Sequence, residues 1–589
     1  MSDILANFFS MGNFNPGFII ILAGLLCVFI PISEIRKALV LLAPIAGGVL
    51  IFQQFTSAEV IGGVWQIGPL KLTTLRIDSL AIIWGYIFCL AGVLNAIFGF
   101  HEKCKITDSS ALIYMGAAVA AVFAGDLITL FVFWELTAIS SVFLIWKGGE
   151  GSFQAGIRYL AYHVSSGVLL LAGAVIYGMS KGGDYSFNYI GLDAPGAWLI
   201  LLGMGIKVGF PFLHNWIQDS YPKASITGTV ILSVFTTKLA LYALARGFPG
   251  TELLIYIGAI MTCFPVFFAV IENDLRKVLA YSLNNQLGFM VCGIGIGSQL
   301  AMNGVAGQVV AHVIFKSLLF MSMGAVMHRV GTAKASELGG LFRSMPITAI
   351  FCLIGAGSIA AFPLLAGFVT KSMIITSAID HASYGGGAAM WVVVMMLLFA
   401  SAGVMEHSGI KVPHFTFFAH DGGHRVKEAP WNMLVAMGLA AALCLFLASP
   451  FGGYQFLYSM LPYDVNYNPY TADHVVFQFQ LLFAAMFAFA FLKRQGIYPD
   501  ERKAEILDFD WTHRKLGKNV AIWTSAMWTR LSANGSNLRA SFIDVTGRRL
   551  QQLFSPAGAF SAASPSGLPA LLTSAMLAFA MIVIFVAAT

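Results

Sequence analysis

The chain has 589 residues, of which 58% are hydrophobic and only 11% charged. Globular domains carry roughly 25% charged residues, so this composition and a mean hydropathy of +0.79 exclude a soluble globular protein and a disordered chain. They also exclude a nucleic-acid binder, despite the formal net charge of +6; the fold class is an all-α polytopic membrane protein.

A hydrocarbon core of about 30 Å needs roughly 20 apolar residues per helix, and such stretches recur with short gaps as far as Phe491. Met1 to Gly17 holds Asp3 and no Lys or Arg, so it lacks the basic start of a signal peptide, and the first span reads as a retained helix. Sixteen spans are predicted, beginning near Pro16, Lys37, Ser79, Ser110, Leu127, Gln154, Gly196, Ile226, Glu252, Lys277, Met302, Met345, Ala389, Met433, Val475 and Leu568. The span near Lys277 is the least apolar, with Ser282, Asn284, Asn285 and Gln286. Residues 494–567 depart from the pattern. Arg494 to Lys518 is charged and polar, and Val520 to Phe554 sets apolar residues at helical spacing among Arg530, Arg539, Arg548 and Arg549. That predicts a basic amphipathic helix lying along the membrane surface, interrupted at Asn534-Gly535 and followed by a small-residue linker.

Basic residues test this arrangement. With the N-terminus outside, odd-numbered loops hold Arg36, Lys37, Lys103, Lys105, Lys147, Lys223, Arg276, Lys277, Arg329, Lys334, Arg343, Lys411, Arg425 and Lys427, and the segment after Phe491 adds eleven more. Even-numbered loops hold only Lys71, Arg76, Lys181 and Arg246. Both termini are therefore expected outside. Arg158, Lys207, Lys238, Lys316 and Lys371 remain, all within apolar spans together with Glu135. A charge at the bilayer centre costs at least about 2.5–3.5 kcal/mol, which is too much for five incidental residues. The seven cysteines form no CxxC or CxxxC pair, so neither a disulfide framework nor a metal cluster is expected.

Two stretches resemble each other. His163-Val164 precedes Leu169-Leu170 as His312-Val313 precedes Leu318-Leu319, and each is followed, 48 or 51 residues on, by Phe-Pro within an apolar span: Phe210-Pro211 and Phe362-Pro363. Proline removes a helix bond and breaks the span. Paired broken helices point to a transport site. Five spans separate the matching elements, so the second unit is expected upside-down relative to the first.

The chemistry follows from what is buried. Glu135 reads either as a satisfied buried acid or as a proton carrier, since burial disfavours its charged form and a nearby Lys restores it. Lys207 precedes the break at Pro211 and Lys371 follows the break at Pro363. Unwound backbone there can solvate a cation, and a desolvated Lys can exchange protons near physiological pH. Lys371 reads alternatively as a side chain reaching an interface. Lys238 lies mid-span, and Lys316 shares a helix face with His312, four residues earlier. Arg158 does not deprotonate and reads equally well as structural; His163 lies on the same span. Together these residues form a line able to pass protons over short water wires. His407, His414, His420 and His424 are loosely spaced and read as a solvated loop rather than a metal site.

The motifs resemble the antiporter-like family: Gly125-Asp126-Leu127 with Phe133-Trp134-Glu135, Arg158-Tyr159-Leu160, Lys207-x-x-x-Pro211-x-x-His214-x-Trp216, Thr236-Thr237-Lys238, Asp274 to Ser282, His312-x-x-x-Lys316, and Gly367-Phe368-x-x-Lys371. That family holds the large proton-pumping subunits of respiratory complex I, the A-type and D-type chains of Mrp-type cation/proton antiporters, and membrane subunits of energy-converting hydrogenases. The resemblance covers about residues 75–415 and implies two inverted five-helix bundles with broken helices. It implies that Glu135 couples to Lys207, that Lys238 is the central Lys, and that Lys371 is the distal exit residue. A Lys at that exit position resembles the D-type Mrp chain and the distal complex I pumping chain, and a lateral helix before one more span resembles the distal complex I chain in shorter form.

The expected organisation is 1–109 for three N-terminal helices, 110–250 for the first repeat, 251–411 for the second, 412–493 for two further helices, 494–567 for the linker and lateral helix, and 568–589 for a final span. The expected function is ion translocation in a multi-subunit Na⁺/H⁺ antiporter of a bacterial or archaeal cell membrane, through Glu135, Lys207, Lys238, His312, Lys316 and Lys371. Asp126, Arg158, His163, His214, Pro211 and Pro363 support them. The expected partners are other membrane subunits, membrane lipids, protons and Na⁺; no cofactor and no resident metal are expected. The alternatives are a proton-pumping subunit of a complex I-like dehydrogenase or hydrogenase, and a membrane subunit of an inorganic-carbon uptake complex.

Overall fold

The computed structural model describes residues 14–55, 59–68, 70–464, 466–499, 506–532, 547 and 573–581. The chain starts with α1 (Pro16–Phe29) and α2 (Ser33–Gln54), followed by strands β1 (Val60–Ile67) and β2 (Leu70–Ile77). Next come α3 (Ser79–Phe98), α4 (Lys105–Val122), α5 (Leu127–Trp146), α6 (Ser152–Ser180), α7 (Ala197–Val208), α8 (Asn215–Ser220), α9 (Ile226–Leu232), α10 (Phe235–Gly247), α11 (Glu252–Ile271), α12 (Leu275–Ile296) and α13 (Gln299–Val330). The remaining helices are α14 (Pro346–Ile359), α15 (Ala366–Ser383), α16 (Gly387–Val404), α17 (Trp431–Phe446), α18 (Gly453–Ser459), α19 (Ala472–Arg494) and α20 (Lys518–Ser532). Among the described residues, nine helices are long and apolar enough to cross a membrane, and four more are apolar but shorter. This is a helical, multi-pass membrane protein.

Helix starts at Pro16, Ser79, Leu127, Ile226 and Glu252 coincide with the sequence expectation, and side-chain caps fix all but the last, where Thr251 makes no capping bond. Asp78, Asp126, Ser225, Asp274, Ser298 and Thr471 each accept a hydrogen bond from a free N–H of the first turn. The all-α expectation needs one correction. Residues 60–77 form an antiparallel hairpin, with Val60 opposite Ile77 and Ile67 opposite Leu70. Its second strand is built into the helical body, since Arg76 N–H donates to the Phe123 carbonyl and Gly125 N–H to that of Thr73.

Contacts among the described residues divide the chain into two compact units, Met1–Ser152 with Tyr159–Ile506, and Phe153–Arg158 with Leu507–Thr589. In the first, α9–α10 and α13 are buried throughout, whereas α2 and α19 bury only 33% and 17% of their apolar windows. Phe477, Phe483, Phe487 and Phe491 lie exposed along α19, a surface suited to lipid or a neighbouring subunit. In the second, α20 carries exposed Val520, Ile522, Trp523 and Met527. The Asn534-Gly535 interruption, the linker and the start of the final span lie outside the described residues; residues 573–581 are helical.

Two places repeat the same backbone geometry. Asp126 and Asp274 each cap a helix and each form an isolated antiparallel bridge, to Ser186 and Lys334. The bonds match one for one: Leu127 N–H to Tyr185 O and Phe187 N–H to Gly125 O, then Leu275 N–H to Ala333 O and Ala335 N–H to Asn273 O. The two Phe-Pro breaks match as well, with the residue after each proline left-handed: φ is 70° at Phe212 and 71° at Leu364. A non-glycine residue in that region costs about 1–2 kcal/mol.

Arg36 and Lys37, expected in a loop, lie in the first turn of α2 and are buried. Arg36 Nε and Lys37 Nζ pair with the two Asp108 oxygens of α4 at 3.1 and 2.7 Å. Removing one partner of a buried pair costs about 3–5 kcal/mol. Asp108→Asn is therefore expected to lower the thermal unfolding midpoint of the detergent-solubilised protein; an unchanged midpoint would show that the triad does not fasten α2 to α4.

Candidate ion-translocation site

Asp126 sets the start of α5 and so the depth of Glu135. Its carboxylate accepts from the Thr129 backbone and hydroxyl at 2.7 and 2.6 Å and from Thr73 N–H at 2.6 Å. Asp126 is thus a fully engaged cap. Two turns on, Glu135 is 3% exposed, and neither of its oxygens has a hydrogen-bond partner. The carboxylate lies against Gly167 of α6, where an added Cβ would run into Oε1. Lys207, fully buried in the last turn of α7, donates to the Trp134 carbonyl and, at 3.2 Å, to Thr137 Oγ1. Its ammonium sits 4.4 Å above the Trp134 ring centre, an arrangement that stabilises a cation without a counter-charge. Glu135 and Lys207 interact electrostatically, yet they make no direct ion pair.

The break after Lys207 has a clear cause. Pro211 offers no N–H to the Lys207 carbonyl four residues back. Gly209 takes φ 88°, and a Cβ there would sit 2.7 Å from Asn284 Oδ1. Trp216 Nε1 donates to the Ile206 carbonyl at 2.8 Å, fastening α8 to the end of α7. His163 stacks 4.0 Å from Tyr159 and 4.5 Å from Trp216 and is within electrostatic reach of Lys207. His214 packs 4.4 Å from Phe264. Arg158 is half-buried and groups with the second unit.

A third interruption, without proline, separates α9 from α10 at Ser233–Val234. It supplies the partners of Lys238, whose ammonium donates to the Ser233 carbonyl at 2.6 Å and Thr237 Oγ1 at 3.3 Å. Lys238 is within electrostatic reach of both His312 and Lys316 on α13. Those two are fully buried, and neither His312 nitrogen nor the Lys316 ammonium has a hydrogen-bond partner. Lys371, beyond the break at Pro363, is 1% exposed. It does not reach an interface, as one reading of the sequence had it; its ammonium lies 4.2 Å above the Phe289 ring centre. Beside it a polar chain crosses four helices. Thr370 Oγ1 donates to Gln308 at 2.6 Å, Gln308 to Gln286 at 3.0 Å, Gln286 to Asn285 at 3.0 Å, and Asn285 to the Thr262 carbonyl at 2.5 Å.

His407 and Lys411 are further residues read as loop residues that are buried. The helix continues past Val404 as a wide π turn, Met405–Lys411, and a second, His414–Phe418. Lys411 caps the C-terminus of α11, donating to the carbonyls of Ala269, Val270 and Glu272. His407 is fully buried, whereas His420 is exposed.

Known proteins resemble this chain in sequence and fold. The transmembrane model of the NADH:quinone oxidoreductase/Mrp antiporter family matches residues 124–403, which include Glu135, Lys207, Lys238, His312, Lys316 and Lys371. The D-type Na⁺/H⁺ antiporter chain of Alkalihalophilus pseudofirmus is 30% identical over 365 residues, covering 57% of this chain and 73% of that protein. The chain belongs to this family. A probable K⁺/H⁺ antiporter chain of A/B type from Rhizobium meliloti is 32% identical over 332 residues, 52% of this chain; the match spans only 33% of that longer relative. The fold also matches the Mrp complex of Dietzia sp. DQ12-45-1b, with a TM-score of 0.72 at 22% identity, over 90% of this chain and 61% of that one. Relatives in the family thus include subunits of multi-subunit membrane assemblies.

Gly167→Ala is expected to displace the Glu135 carboxylate and to cut proton flux in vesicles at least tenfold, with normal protein levels. Gly149→Ala, which meets open space, serves as the control. Equal flux in both variants would show that the carboxylate's seat against α6 is not needed.

Proposed function

We propose that this chain is the ion-translocating membrane subunit of a multi-subunit Na⁺/H⁺ antiporter of Mrp type, residing in a bacterial or archaeal cell membrane. Protons move along Glu135, Lys207, Lys238, His312, Lys316 and Lys371. One observation carries the reading: four fully buried lysines, each beside a helix break or an aromatic face, share the interior with Glu135. Such groups exchange protons when a neighbouring charge approaches or leaves. The similarity to the D-type Na⁺/H⁺ antiporter chain of Alkalihalophilus pseudofirmus supports Na⁺ as the exchanged ion.

The finer architecture belongs to the same proposal. It has sixteen spans with both termini outside, two inverted five-helix repeats at 110–250 and 251–411, a lateral helix within 494–567, and a last span at 568–589. The matched bridges at Asp126 and Asp274 and the matched left-handed residues at Phe212 and Leu364 support the repeat. The partners are other membrane subunits, with lipid on the exposed helix faces.

The test is exchange in inverted vesicles containing the purified native complex. Addition of Na⁺ is expected to collapse an imposed pH gradient, and Glu135→Gln, Lys207→Ala or Lys371→Ala to reduce that response at least tenfold without loss of assembly. A response to K⁺ alone would change the ion and leave exchange standing. No response to either cation, together with co-purified flavin, iron–sulfur or nickel subunits, would overturn the antiporter reading in favour of a redox-driven pump.

A further inference from the structure

Lys316 and Lys371 are both fully buried, and neither ammonium has a hydrogen-bond partner. Both are within electrostatic reach of the same third group, His407. Its neighbour Ser408 bonds Ser282 of α12, the helix whose Phe289 ring lies under the Lys371 ammonium, so the imidazole approaches the distal lysine along that helix.

His407 reaches that position because α16 runs on into a π turn. Such turns are rare and are frequent at functional sites. The turn packs beside the second Phe-Pro break, since Met405 shares a core cluster with Ala360 and Leu482. Gln478 of α19, one turn before Leu482, donates to the Ala360 carbonyl at 3.1 Å and holds the same interrupted backbone. The histidine is thus part of the structure that shapes the break before Lys371.

Its hydrogen bonds define its tautomer. Ser408 Oγ donates to Ser282 Oγ of α12 at 2.7 Å, so toward His407 it acts as acceptor. His407 Nδ1 lies 2.9 Å from Ser408 Oγ and must therefore carry the hydrogen. The lone pair is left on Nε2, which is buried and without a hydrogen-bond partner. A buried acceptor with no partner is costly unless it is used. Of the other charged groups nearby, Lys411 caps the α11 carbonyls, and Glu406 accepts from the Tyr498 hydroxyl through Oε1 while its Oε2 has no hydrogen-bond partner.

We propose that His407 is a relay group carrying the proton between Lys316 and Lys371, with Nε2 as its acceptor and Ser408 as the residue that positions it. In the step, an N–H bond of the Lys316 ammonium breaks and one forms at His407 Nε2, directly or across a short water wire. The imidazolium then holds hydrogen on both nitrogens. The Nε2–H bond breaks as a new N–H forms on the neutral Lys371 amine, and the imidazole returns to its starting tautomer. One proton moves, and nothing is oxidised or reduced.

This inference rests on the reading of Lys316 and Lys371 as proton carriers, so the test includes both. Cation-driven proton flux is measured in vesicles containing the whole complex for His407→Gln, Ser408→Ala, Lys316→Ala and Lys371→Ala, with native-gel quantification of assembly. Glutamine at 407 can still donate to Ser408 but cannot carry a proton. The expected result for His407→Gln is normal assembly, an unchanged half-saturating Na⁺ concentration and at least a tenfold fall in maximal flux; a purely structural role would not separate those readouts. Ser408→Ala is expected to lower flux about three- to tenfold with normal assembly. If His407→Gln transports like wild type while both lysine variants are dead, the histidine relay is overturned and the lysine line stands. If both lysine variants transport normally, the line itself falls and His407 with it. Should His407→Gln fail to assemble, Ser408→Ala decides: unchanged flux overturns the relay, and reduced flux with normal assembly supports it.

Discussion

The interior of this protein must accommodate Lys207, Lys238, Lys316 and Lys371, all essentially free of solvent, with Glu135 set against Lys207 alone. A buried ammonium normally needs a counter-charge or a set of hydrogen-bond acceptors. Here the acceptors are mostly backbone carbonyls and the counter-charges mostly ring faces. Lys207 uses the Trp134 carbonyl and indole, Lys238 the Ser233 carbonyl, and Lys371 the Phe289 ring. The Ser233 carbonyl lies at the α9–α10 break, whereas the Trp134 carbonyl lies inside the uninterrupted helix α5, so one break serves a lysine directly and the other lysines sit beside breaks or rings.

The breaks in turn constrain their surroundings. Unwound backbone at membrane depth is tolerated only where protein surrounds it. Accordingly α9, α10, α12 and α13 are buried nearly all round, and the lipid-suited faces fall to peripheral helices such as α2 and α19. Asn284 closes over Gly209, Trp216 ties α8 to α7, and Gln478 ties α19 to Ala360. The last two are side-chain N–H donors to carbonyls at helix ends, while the Asn284 amide closes the space over Gly209 without a hydrogen bond of its own.

Much of this was legible in the sequence. Charges inside apolar runs are rare enough that Glu135 and the four lysines stood out unaided, and Pro211 and Pro363 marked two breaks. The third break carries no proline and left no signal around Ser233. The hairpin was missed because Val60–Ile77 is short, glycine-containing and mostly half-exposed, so its alternation is weak. The sequence reads His407 as a loop residue from the loose spacing of the histidines and Lys411 from the distribution of basic residues. A π turn keeps the helix running with altered spacing, and nothing in the residue pattern announces one. The polar chain through Gln286 and Gln308 was half visible: the polar run on α12 was noted, while its partners on α13 and α15 depend on tertiary contact alone.

The bridges at Asp126 and Asp274 bear on how such a chain is made. Each joins residues sixty positions apart, 126 to 186 and 274 to 334, through the same pair of backbone bonds. The entropy of closing a loop rises only slowly with its length, so each staple can form within its own segment as it emerges, without waiting for the rest. The contacts between helices far apart in sequence, such as Trp84 with the Lys238 carbonyl, are then left to form between pieces already folded.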